Sequence, residues 1–355
     1  MRILVTGGAG FIGSALVRHV ILKTDHEIVN VDSLTYAGNQ NNLKIIETSQ
    51  RYKFVKADIC ELELLNEIFT ECRPDAVIHL AAESHVDHSI IGPSVFMSTN
   101  VIGTFNLLEA SRRYLLSYPD RSTQDFRFVH VSTDEVYGEL PHPDLYPDAN
   151  EYHFSEQTPY KPNSPYSASK ASSDHLVRAW GKTYGLPVLI TNCSNNYGPY
   201  QYPEKLIPLA IINALKGEKI PVYGSGQQIR DWLYVEDHVN ALLAVLTNGE
   251  AGATYNIGAR TELRNIEVVK MICSLLQQTD VLRPPKIDQL SDLIEFVEDR
   301  PGHDQRYAIN PTKIERELNW LPSMTFSQGL SKTVDWYVSN ATWWQQRFAD
   351  DFREV

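Results

Sequence analysis

Cysteine is scarce and scattered in this sequence. The four cysteines of the 355-residue chain, Cys60, Cys72, Cys193 and Cys273, include no Cys-x-x-Cys pair. Their spacing argues against a disulfide framework and against a cysteine-based zinc site, and it suits reduced, mostly structural thiols. We therefore predict a cytoplasmic protein.

Positive charge is also in deficit. The chain has 32 Lys and Arg against 44 Asp and Glu, a formal net charge of −12. Nucleic-acid-binding proteins carry a basic face, so we predict no nucleic-acid partner. The apolar start of the chain lacks a long uninterrupted run, because it is broken by Gly7, Gly8, Gly10, Gly13 and Arg18. That pattern predicts neither a signal peptide nor a membrane span.

What the sequence does contain begins with a glycine-rich segment, residues 7–13. It follows a predicted strand, opens a predicted apolar helix, and includes the pattern Gly8-x-Gly10-x-x-Gly13. Glycines in this setting let the backbone approach a pyrophosphate, which binds at the helix N-terminus. A second predicted strand ends at Asp32, whose carboxylate would bind the adenosine ribose and disfavour a 2′-phosphate. The pattern predicts NAD rather than NADP as the cofactor.

The order of predicted elements gives the fold class. Strands over residues 2–6, 28–31, 53–56 and 76–80 alternate with helical segments, and the alternation weakens after about residue 193. We predict an α/β fold: a Rossmann-type doubly wound parallel sheet with a smaller α/β substrate-binding lobe.

Four polar residues end a predicted buried strand over 126–131. They are Ser132, Thr133, Asp134 and Glu135. In an open parallel sheet, side chains at the carboxyl ends of strands face the ligand. Two adjacent carboxyls there need a partner or a chemical role, since a desolvated carboxylate is costly. Taken alone, the stretch is equally consistent with a solvated acidic turn.

A tyrosine and a lysine four residues apart favour the catalytic interpretation. Tyr166 and Lys170 lie on one face of a predicted helix. The ammonium group is expected to lower the pKa of the phenol, so that the tyrosine takes a proton from a sugar hydroxyl near neutral pH.

A metal site is the alternative for the histidines that follow the fourth strand. His79, His85, Asp87 and His88 supply suitable atoms, but no i, i+4 pair falls on a clear helix and no cysteine accompanies them. We therefore predict no metal.

Together, the glycine segment, the Tyr-x-x-x-Lys pair and the strand order resemble the extended short-chain dehydrogenase/reductase superfamily over essentially the whole chain. Within it, the segments 79–87, 132–138, 166–170, 192–199 and 299–303 closely resemble the dTDP-glucose 4,6-dehydratase family. The triplet Thr133-Asp134-Glu135 is the specific part, because related sugar-nucleotide epimerases and decarboxylases usually lack the acidic pair. His88 stands where the family would have arginine, and it puts only local contacts in doubt.

The resemblance implies that the protein converts dTDP-glucose to dTDP-4-keto-6-deoxyglucose and water. It implies that Tyr166 takes the proton of the 4-hydroxyl, Lys170 holds the ribose, and Thr133 hydrogen-bonds the reacting oxygen. It further implies Glu135 as the base at carbon 5 and Asp134 as the acid for the leaving water. A carboxyl pair in opposite protonation states suits such acid/base chemistry.

The resemblance also implies contact residues. Those for NAD are Gly7, Gly10, Phe11, Ile12, Gly13, Asp32, Ser33, Leu34, Thr35, Asp58, Ile59, Leu80, Ala81, Ala82, Ser84, Thr99, Tyr166, Lys170 and Asn196. Those for the substrate are Ser84, Thr133, Asn195, Lys205, Leu206, Pro221, Tyr223, Arg230, Asn265, Asp299, Arg300 and His303. Lys205 and Arg230 are the cationic candidates for the diphosphate, with a structural salt bridge as the alternative for Arg230.

The expected organisation has two domains. Residues 1–192, with further elements from 232–258, form the NAD-binding Rossmann domain. Residues 193–231 and 259–355 form the nucleotide-sugar-binding lobe. A homodimer is expected, since the helix from about Val101 and the helix over 166–184 are too apolar for open solvent, and such helices form the dimer interface in the family.

Two rival functions remain. One is a sugar-nucleotide epimerase or decarboxylase, which the acidic pair disfavours. The other is an inactive NAD-sensing Rossmann module, which the intact set of Thr133, Asp134, Glu135, Tyr166 and Lys170 disfavours.

Overall fold

The computed structural model describes residues 1–118, 126–279 and 287–351. Its strands are β1 (Arg2–Thr6), β2 (Glu27–Asp32), β3 (Tyr52–Lys56), β4 (Ala76–His79), β5 (Arg127–Thr133), β6 (Val188–Cys193), β7 (Asn195–Tyr197), β8 (Ile220–Tyr223), β9 (Ile229–Tyr234), β10 (Thr254–Ile257), β11 (Glu262–Arg264) and β12 (Ile294–Val297). Its α-helices are α1 (Phe11–Lys23), α2 (Leu62–Cys72), α3 (Val86–Ile91), α4 (Pro93–Phe96), α5 (Thr104–Ser117), α6 (Pro165–Tyr184), α7 (Leu206–Lys216), α8 (Val235–Asn248), α9 (Asn265–Gln278), α10 (Thr312–Leu318), α11 (Phe326–Ser339) and α12 (Ala341–Asp351).

Seven strands form one parallel sheet in the order β10-β6-β5-β4-β1-β2-β3. From β1 the chain proceeds outwards through β2 to β3, and it then returns to β4 and proceeds the other way. The loops that follow β1 and β4 therefore diverge, and the crevice between them is where ligands bind in sheets of this kind. The predicted doubly wound fold is confirmed.

Alternate residues of the strands pack on opposite faces of this sheet. Ile3 and Val5 of β1 belong to a buried cluster with α1 and α8, whereas Leu4 between them belongs to a second cluster with α2 and α5. Helices cover both faces, so the central strands are apolar throughout rather than on alternate positions. This burial fixes the register of the sheet, and with it the positions of the loops that form the site.

The second lobe has its own small sheets and core. Strands β7, β9 and β11 form a three-stranded sheet, and β8 pairs with β12. Helices α7, α9 and α11 contribute to the apolar cluster beneath them. The predicted division of the chain remains a prediction; β10 does join the large sheet, but β9 crosses the proposed boundary at residues 231 and 232.

One predicted helix differs in detail from expectation. The helix expected from residue 99 starts earlier, with Pro93 at the first position of α4, and continues into α5 through a π-helical turn, Met97–Gly103. The cause is visible at Asn100, whose carbonyl accepts hydrogen bonds from the hydroxyls of Thr104 and Ser173, both at 2.6 Å. Hydroxyls inserted in this way disturb the regular helical ladder.

Gly7 is a glycine of the site whose replacement the fold would tolerate poorly. Its φ is +72°, and an added Cβ would lie 2.6 Å from the Ala81 nitrogen in the loop after β4. Gly185, at the end of α6, has a similar φ of +70° but nothing within 4 Å of such a Cβ. The two positions thus share the backbone cost and differ in the steric clash.

We predict that Gly7→Ala lowers the free energy of unfolding more than Gly185→Ala does. Both changes place alanine in the left-handed region, at a cost of about 1–2 kcal/mol, and only Gly7→Ala adds a backbone clash. Chemical denaturation of the two variants and the wild type measures the difference. Equal destabilisation would show that the loop after β4 moves away from Gly7 at no cost in free energy, which would contradict the close packing of Gly7 against Ala81.

Candidate active site

A cleft of about 410 Å³ runs along the carboxyl ends of β1, β2, β4, β5 and β6. It brings together most of the residues predicted from the sequence: Gly7, Gly10, Phe11, Ile12, Gly13, Asp32, Ser33, Thr35, Asp58, Ile59, Leu80, Ala81, Ala82, Ser84, Thr99, Thr133, Asp134, Glu135, Tyr166, Lys170, Asn195, Asn196 and Lys205. Leu34 is absent from this lining, and so are several predicted substrate contacts described below.

The glycine segment forms a cradle that side chains would fill. A Cβ on Gly13 would lie 2.1 Å from the carbonyl oxygen of Gly7. Helix α1 follows directly, with no side-chain cap at Gly10 and no acidic residue in its first turn. Its first amide groups and the positive end of its dipole are therefore available to an anion. These features fit the diphosphate of a dinucleotide.

Asp32 organises the rim of this cradle. One carboxylate oxygen accepts the backbone N–H of Ala9 at 2.9 Å, and the other accepts that of Leu34 at 2.8 Å. Leu34 has a positive φ of 58°, and its contribution is through this backbone contact. Burial raises the pKa of Asp32, and the two backbone hydrogen bonds oppose that rise. A carboxylate oxygen has further acceptor capacity, so a ribose hydroxyl remains a compatible partner.

Asn100 connects three elements around the cleft. Its side-chain oxygen accepts the Glu83 N–H at 2.8 Å, and its amide donates to the Glu83 carbonyl at 3.0 Å and to Ser169 Oγ at 2.8 Å. Glu83 follows β4, and Ser169 lies on α6 between Tyr166 and Lys170. A single buried side chain therefore sets the distance between the predicted cofactor loop and the helix that carries the predicted catalytic pair.

Asp134 lies at the end of β5 in surroundings that favour its protonated form. Its side chain is 1% exposed, and Oδ2 has no hydrogen-bond partner in the described part of the chain. Burial raises the pKa of the carboxyl well above its usual value, and the neighbouring carboxylates of Glu135 and Asp231 raise it further. These surroundings favour the protonated form of Asp134, although the charge of Arg230 opposes the rise.

Glu135 lies next to Asp134 but has different charged groups around it. Burial raises its pKa, whereas Arg300, Arg230 and Lys205 each lower it. Three cations thus favour the ionised form of Glu135, which can accept a proton. Burial raises the pKa of both carboxyls, and the three cations limit the rise at Glu135; such unequal surroundings are how neighbouring carboxyls can acquire different acid and base roles.

The expected effect of Lys170 on Tyr166 is not found. Burial, followed by the charge of Glu135, raises the pKa of the Tyr166 phenol well above its usual value. Lys170 Nζ instead donates to the carbonyl of Val131 at 2.9 Å. The pKa of Tyr166 is raised because its ring is buried near the Glu135 carboxylate, while the Lys170 ammonium is bonded to the backbone of β5.

Asp174 is a site residue that sequence reasoning missed. It lies one helical turn beyond Lys170, is 2% exposed, and raises the pKa of that lysine against the lowering effect of burial. Its Oδ2 accepts hydrogen bonds from Ser132 Oγ at 2.9 Å and Tyr160 Oη at 2.8 Å. The signal available in the sequence was a carboxylate four residues after Lys170, on the same face of the helix.

Several predicted substrate residues gather around a second carboxylate, Asp87. Arg300 Nη1 lies 3.0 Å from one of its oxygens, and the Tyr223 hydroxyl donates to the other at 3.1 Å. Asp299 and His303 pair at 2.6 Å in the same turn. Gln228, which was not predicted, donates to Asp299 at 2.9 Å. These groups lie outside the cleft lining, and among them Arg300 lowers the pKa of Glu135.

The remaining predicted substrate residues have mixed positions. Arg230 forms no salt bridge among the described residues; its guanidinium donates to the carbonyls of Ile229 and Asp304 and stacks over Tyr307 at 4.2 Å. Leu206 begins α7 and Pro221 lies on β8, both away from the cleft lining. Asn265, Asn195 and Arg300 each carry a buried polar atom without a protein partner in the described residues, which a ligand could satisfy.

One group of described residues could hold a metal ion: His85, His88 and Glu204 have ligand atoms within 4.8 Å of one another. The His88 N–H donates weakly to His85 Nδ1 at 3.4 Å, and burial lowers the pKa of His85 to about 3. In that neutral ring the proton lies on Nε2, the nitrogen that faces Glu204 at 3.6 Å. A metal would have to displace this proton, so the donor set fits poorly.

None of the helices in the described part of the chain has the length and apolar character that a membrane span requires.

Comparisons with known proteins agree with this geometry. The family model described as GDP-mannose 4,6 dehydratase matches residues 4–333. The chain is 58% identical over 347 residues to a dTDP-glucose 4,6-dehydratase of Escherichia coli, covering 98% of this chain and 96% of that protein. The chain belongs to the dTDP-glucose 4,6-dehydratase family.

Solved structures of the dTDP-glucose 4,6-dehydratase family have the same fold. The enzyme from Streptomyces venezuelae, with NAD and dTDP bound, matches with a TM-score of 0.87 and 43% identity over 98% of this chain and 100% of that one. The enzyme from Bacillus anthracis, in complex with NAD, matches with a TM-score of 0.83 and 47% identity over 98% and 99%.

We predict that the Asp134 carboxyl is protonated at neutral pH. Its raised pKa means that the neutral acid persists until the pH rises through that value. The infrared difference spectrum between the wild type and Asp134→Asn should therefore contain the carbonyl band of a buried carboxylic acid. The difference spectrum for Glu135→Gln should lack it, and the reverse pattern would exchange the two assignments.

Proposed function

We infer that the protein converts dTDP-glucose to dTDP-4-keto-6-deoxyglucose and water, as a lyase that uses NAD. The observation that carries this inference is the pair Asp134 and Glu135 beside Tyr166 in one cleft, with burial raising both pKa values and three cations opposing the rise at Glu135. An elimination needs both an acid and a base. An epimerization needs neither for the loss of water, so the pair favours the dehydratase over that rival.

NAD, when bound, accepts a hydride from carbon 4 of the sugar and returns it to carbon 6. The glycine segment and α1 would hold its diphosphate, and Asp32 its adenosine ribose. Lys170 retains two N–H donors beyond the one used by Val131, and these suit the hydroxyls of the nicotinamide ribose.

The first proton transfer belongs to Tyr166. Its phenolate takes the proton of the 4-hydroxyl while carbon 4 becomes a ketone. Thr133, at the end of β5, orients the reacting oxygen through its hydroxyl. The hydrogen bond between Thr133 and Tyr166 opposes the cost of ionising a buried phenol.

Elimination then belongs to the carboxyl pair. The new ketone acidifies the proton on carbon 5, which the ionised Glu135 removes. The bond between carbon 6 and its hydroxyl breaks as Asp134 donates its proton, and water leaves. Glu135 returns its proton to carbon 5 as carbon 6 takes up the hydride. The proton that Asp134 gives up balances the one that Tyr166 takes from the 4-hydroxyl, so the net change is the loss of one water.

Cations between the lobes suit the diphosphate of the nucleotide sugar. Lys205 donates to the Ser84 carbonyl at 3.1 Å and has further N–H groups that no described residue accepts, and Arg300 Nε has no partner among the described residues. The charge of Arg230 lowers the pKa of Glu135. Asn195 and Asn265 each offer a buried side-chain oxygen without a protein partner in the described residues.

Incubation with dTDP-glucose tests the proposed function. A keto-sugar, detected by its chromophore in alkali, is the expected product. Formation of the carbon-4 epimer without that chromophore would favour the epimerase. Bound NAD with no change in the sugar would favour the inactive sensing module.

We predict that Glu135→Gln blocks elimination and leaves the first oxidation largely intact. The amide resembles the acid in shape but cannot accept the proton from carbon 5. General base catalysis contributes about 10²- to 10⁴-fold, so turnover should fall by that factor while reduced cofactor accumulates in a single turnover. Absorbance of the reduced nicotinamide measures it, and Glu63→Gln on the exposed surface of α2 is the control.

Asp134→Asn separates the two roles. It should also block water loss, but Glu135 can still remove and return the proton on carbon 5, so deuterium from solvent should enter that position. Glu135→Gln should show no such exchange. Wild-type turnover by Glu135→Gln, or exchange confined to that variant, would assign the base to Asp134.

We also propose that the protein is a cytoplasmic homodimer. Helices α5 and α6 pack side by side, and apolar groups remain exposed on them and on the π-helical turn before α5: Ile102 of that turn at 52%, Leu116 of α5 at 69% and Tyr184 of α6 at 52%. A second copy would remove these groups from water, and twofold dimers are the commonest soluble assembly. The four free thiols suit a reducing compartment.

We predict a mass near twice 40.3 kDa in solution, and its reduction to the monomer value by Ile102→Glu. A buried unpaired carboxylate at the centre of an apolar interface is strongly unfavourable. Ile45→Glu, at a residue 70% exposed on another surface, is the matched control. Light scattering of the three proteins decides the matter; a wild-type monomer would refute the dimer.

A further inference from the structure

We propose that Trp343, on the last helix of the chain, positions the glycine segment and so controls how tightly NAD is held. The inference rests on the NAD-binding part of the proposed function. It concerns a residue more than 300 positions away from that segment in sequence, outside every motif identified above.

A continuous series of hydrogen bonds joins the two regions. Trp343 Nε1 donates to Asn42 Oδ1 at 2.9 Å, and Asn42 Nδ2 donates to the carbonyl of Ala9 at 3.0 Å. Ala9 lies between Gly8 and Gly10, and its own N–H donates to Asp32 at 2.9 Å. The peptide groups of Ala9 are thus held on one side by the predicted ribose ligand and on the other by Asn42.

Asn42 is suited to transmit this constraint because its backbone is fixed. The residue is 2% exposed; its N–H donates to the Asn39 carbonyl at 3.0 Å, and its carbonyl accepts Arg18 Nη1 at 2.8 Å. The N–H of Asn39 donates to the Ala9 carbonyl as well, at 3.0 Å. Only the side-chain amide of Asn42 retains freedom, by rotation of its terminal group.

The indole N–H of Trp343 removes that freedom. Facing a donor, the Asn42 amide must present its oxygen to Trp343 and hence its nitrogen to the Ala9 carbonyl. The opposite orientation would place two donors together at the indole and two acceptors together at Ala9. Loss of the indole N–H would leave Asn42 Oδ1 buried and unpaired, which is unfavourable, and would free the amide to turn away from the glycine segment.

Aromatic packing holds the indole in place. Trp343 lies against Trp336 of α11, with ring centroids 5.0 Å apart, and against Tyr200 at 5.9 Å. Arg18 of α1 stacks over Tyr200 at 4.0 Å and also binds the Asn42 carbonyl. The C-terminal helices are therefore connected, through Tyr200, to Arg18 on the helix that follows the glycine segment.

The adjacent tryptophan provides a matched control. Trp344 is also an indole of α12, but its Nε1 donates to the Tyr337 carbonyl at 3.0 Å, within the C-terminal helices. Trp343→Phe and Trp344→Phe each remove one indole N–H and retain an aromatic ring. A general weakening of the C-terminal helices would affect both variants alike, whereas the proposed role is specific to Trp343.

The experiment measures the affinity of NAD for cofactor-stripped wild-type, Trp343→Phe and Trp344→Phe proteins by calorimetry, and amide hydrogen exchange over residues 7–13 in the same samples. Trp343→Phe should weaken NAD about tenfold, through the unpaired Asn42 oxygen, and should speed exchange in the glycine segment. Turnover with saturating NAD should fall far less than the affinity. Trp344→Phe should match the wild type in affinity and in exchange.

Asn42→Ala completes the design. It removes the connection, so Trp343→Phe added to Asn42→Ala should cause no further loss of NAD affinity. Equal affinities for Trp343→Phe and wild type, equal losses in the two tryptophan variants, or additive losses with Asn42→Ala would each overturn the proposal. A wild-type protein that binds no NAD would overturn the proposed function instead, and exchange in the glycine segment would still decide the role of Trp343.

Discussion

The burial of two adjacent carboxyls at the end of β5 is the constraint on which the site depends. Burial raises the pKa of both carboxyls, and the charge of Glu135 raises that of Asp134 further. Arg300, Arg230 and Lys205 lower the pKa of Glu135, whereas the Asp231 carboxylate raises that of Asp134. This difference is what the proposed acid and base roles depend on.

The rest of the structure holds this pair against its cofactor and substrate. The register of the parallel sheet places the ends of β1, β4 and β5 along one cleft, and Asn100 ties the loop after β4 to α6. The second lobe contributes the cations. The difference between the pKa values of Asp134 and Glu135 depends on both lobes. The two carboxyls follow a strand of the large sheet, whereas the charges that act on them unequally lie outside that sheet.

Local sequence patterns predicted much of this site. The features that depend on contacts between residues far apart in sequence were not predicted. The glycine segment, Asp32 and the acidic pair were identifiable because each lies next to a strand end within a few residues. The partner of Lys170 was missed because the sequence shows Asp174 only as one polar residue of a helix, and its burial depends on Ser132 and Tyr160. The direction of the Tyr166 pKa was wrong because spacing shows proximity to Lys170 but not desolvation. The bond between Trp343 and Asn42 spans 301 positions and has no local signature.

Tracing the hydrogen removed from carbon 4 tests the central claim most directly. If the carboxyl pair removes the hydroxyl from carbon 6, and one bound cofactor both takes up the hydride and returns it, deuterium from carbon 4 must appear on carbon 6 of the same sugar molecule. A mixture of carbon-4-deuterated and fully carbon-13-labelled dTDP-glucose, analysed by mass spectrometry, gives the answer. The account predicts deuterium on carbon 6 of the unlabelled-carbon product alone. Deuterium retained on carbon 4 would contradict it.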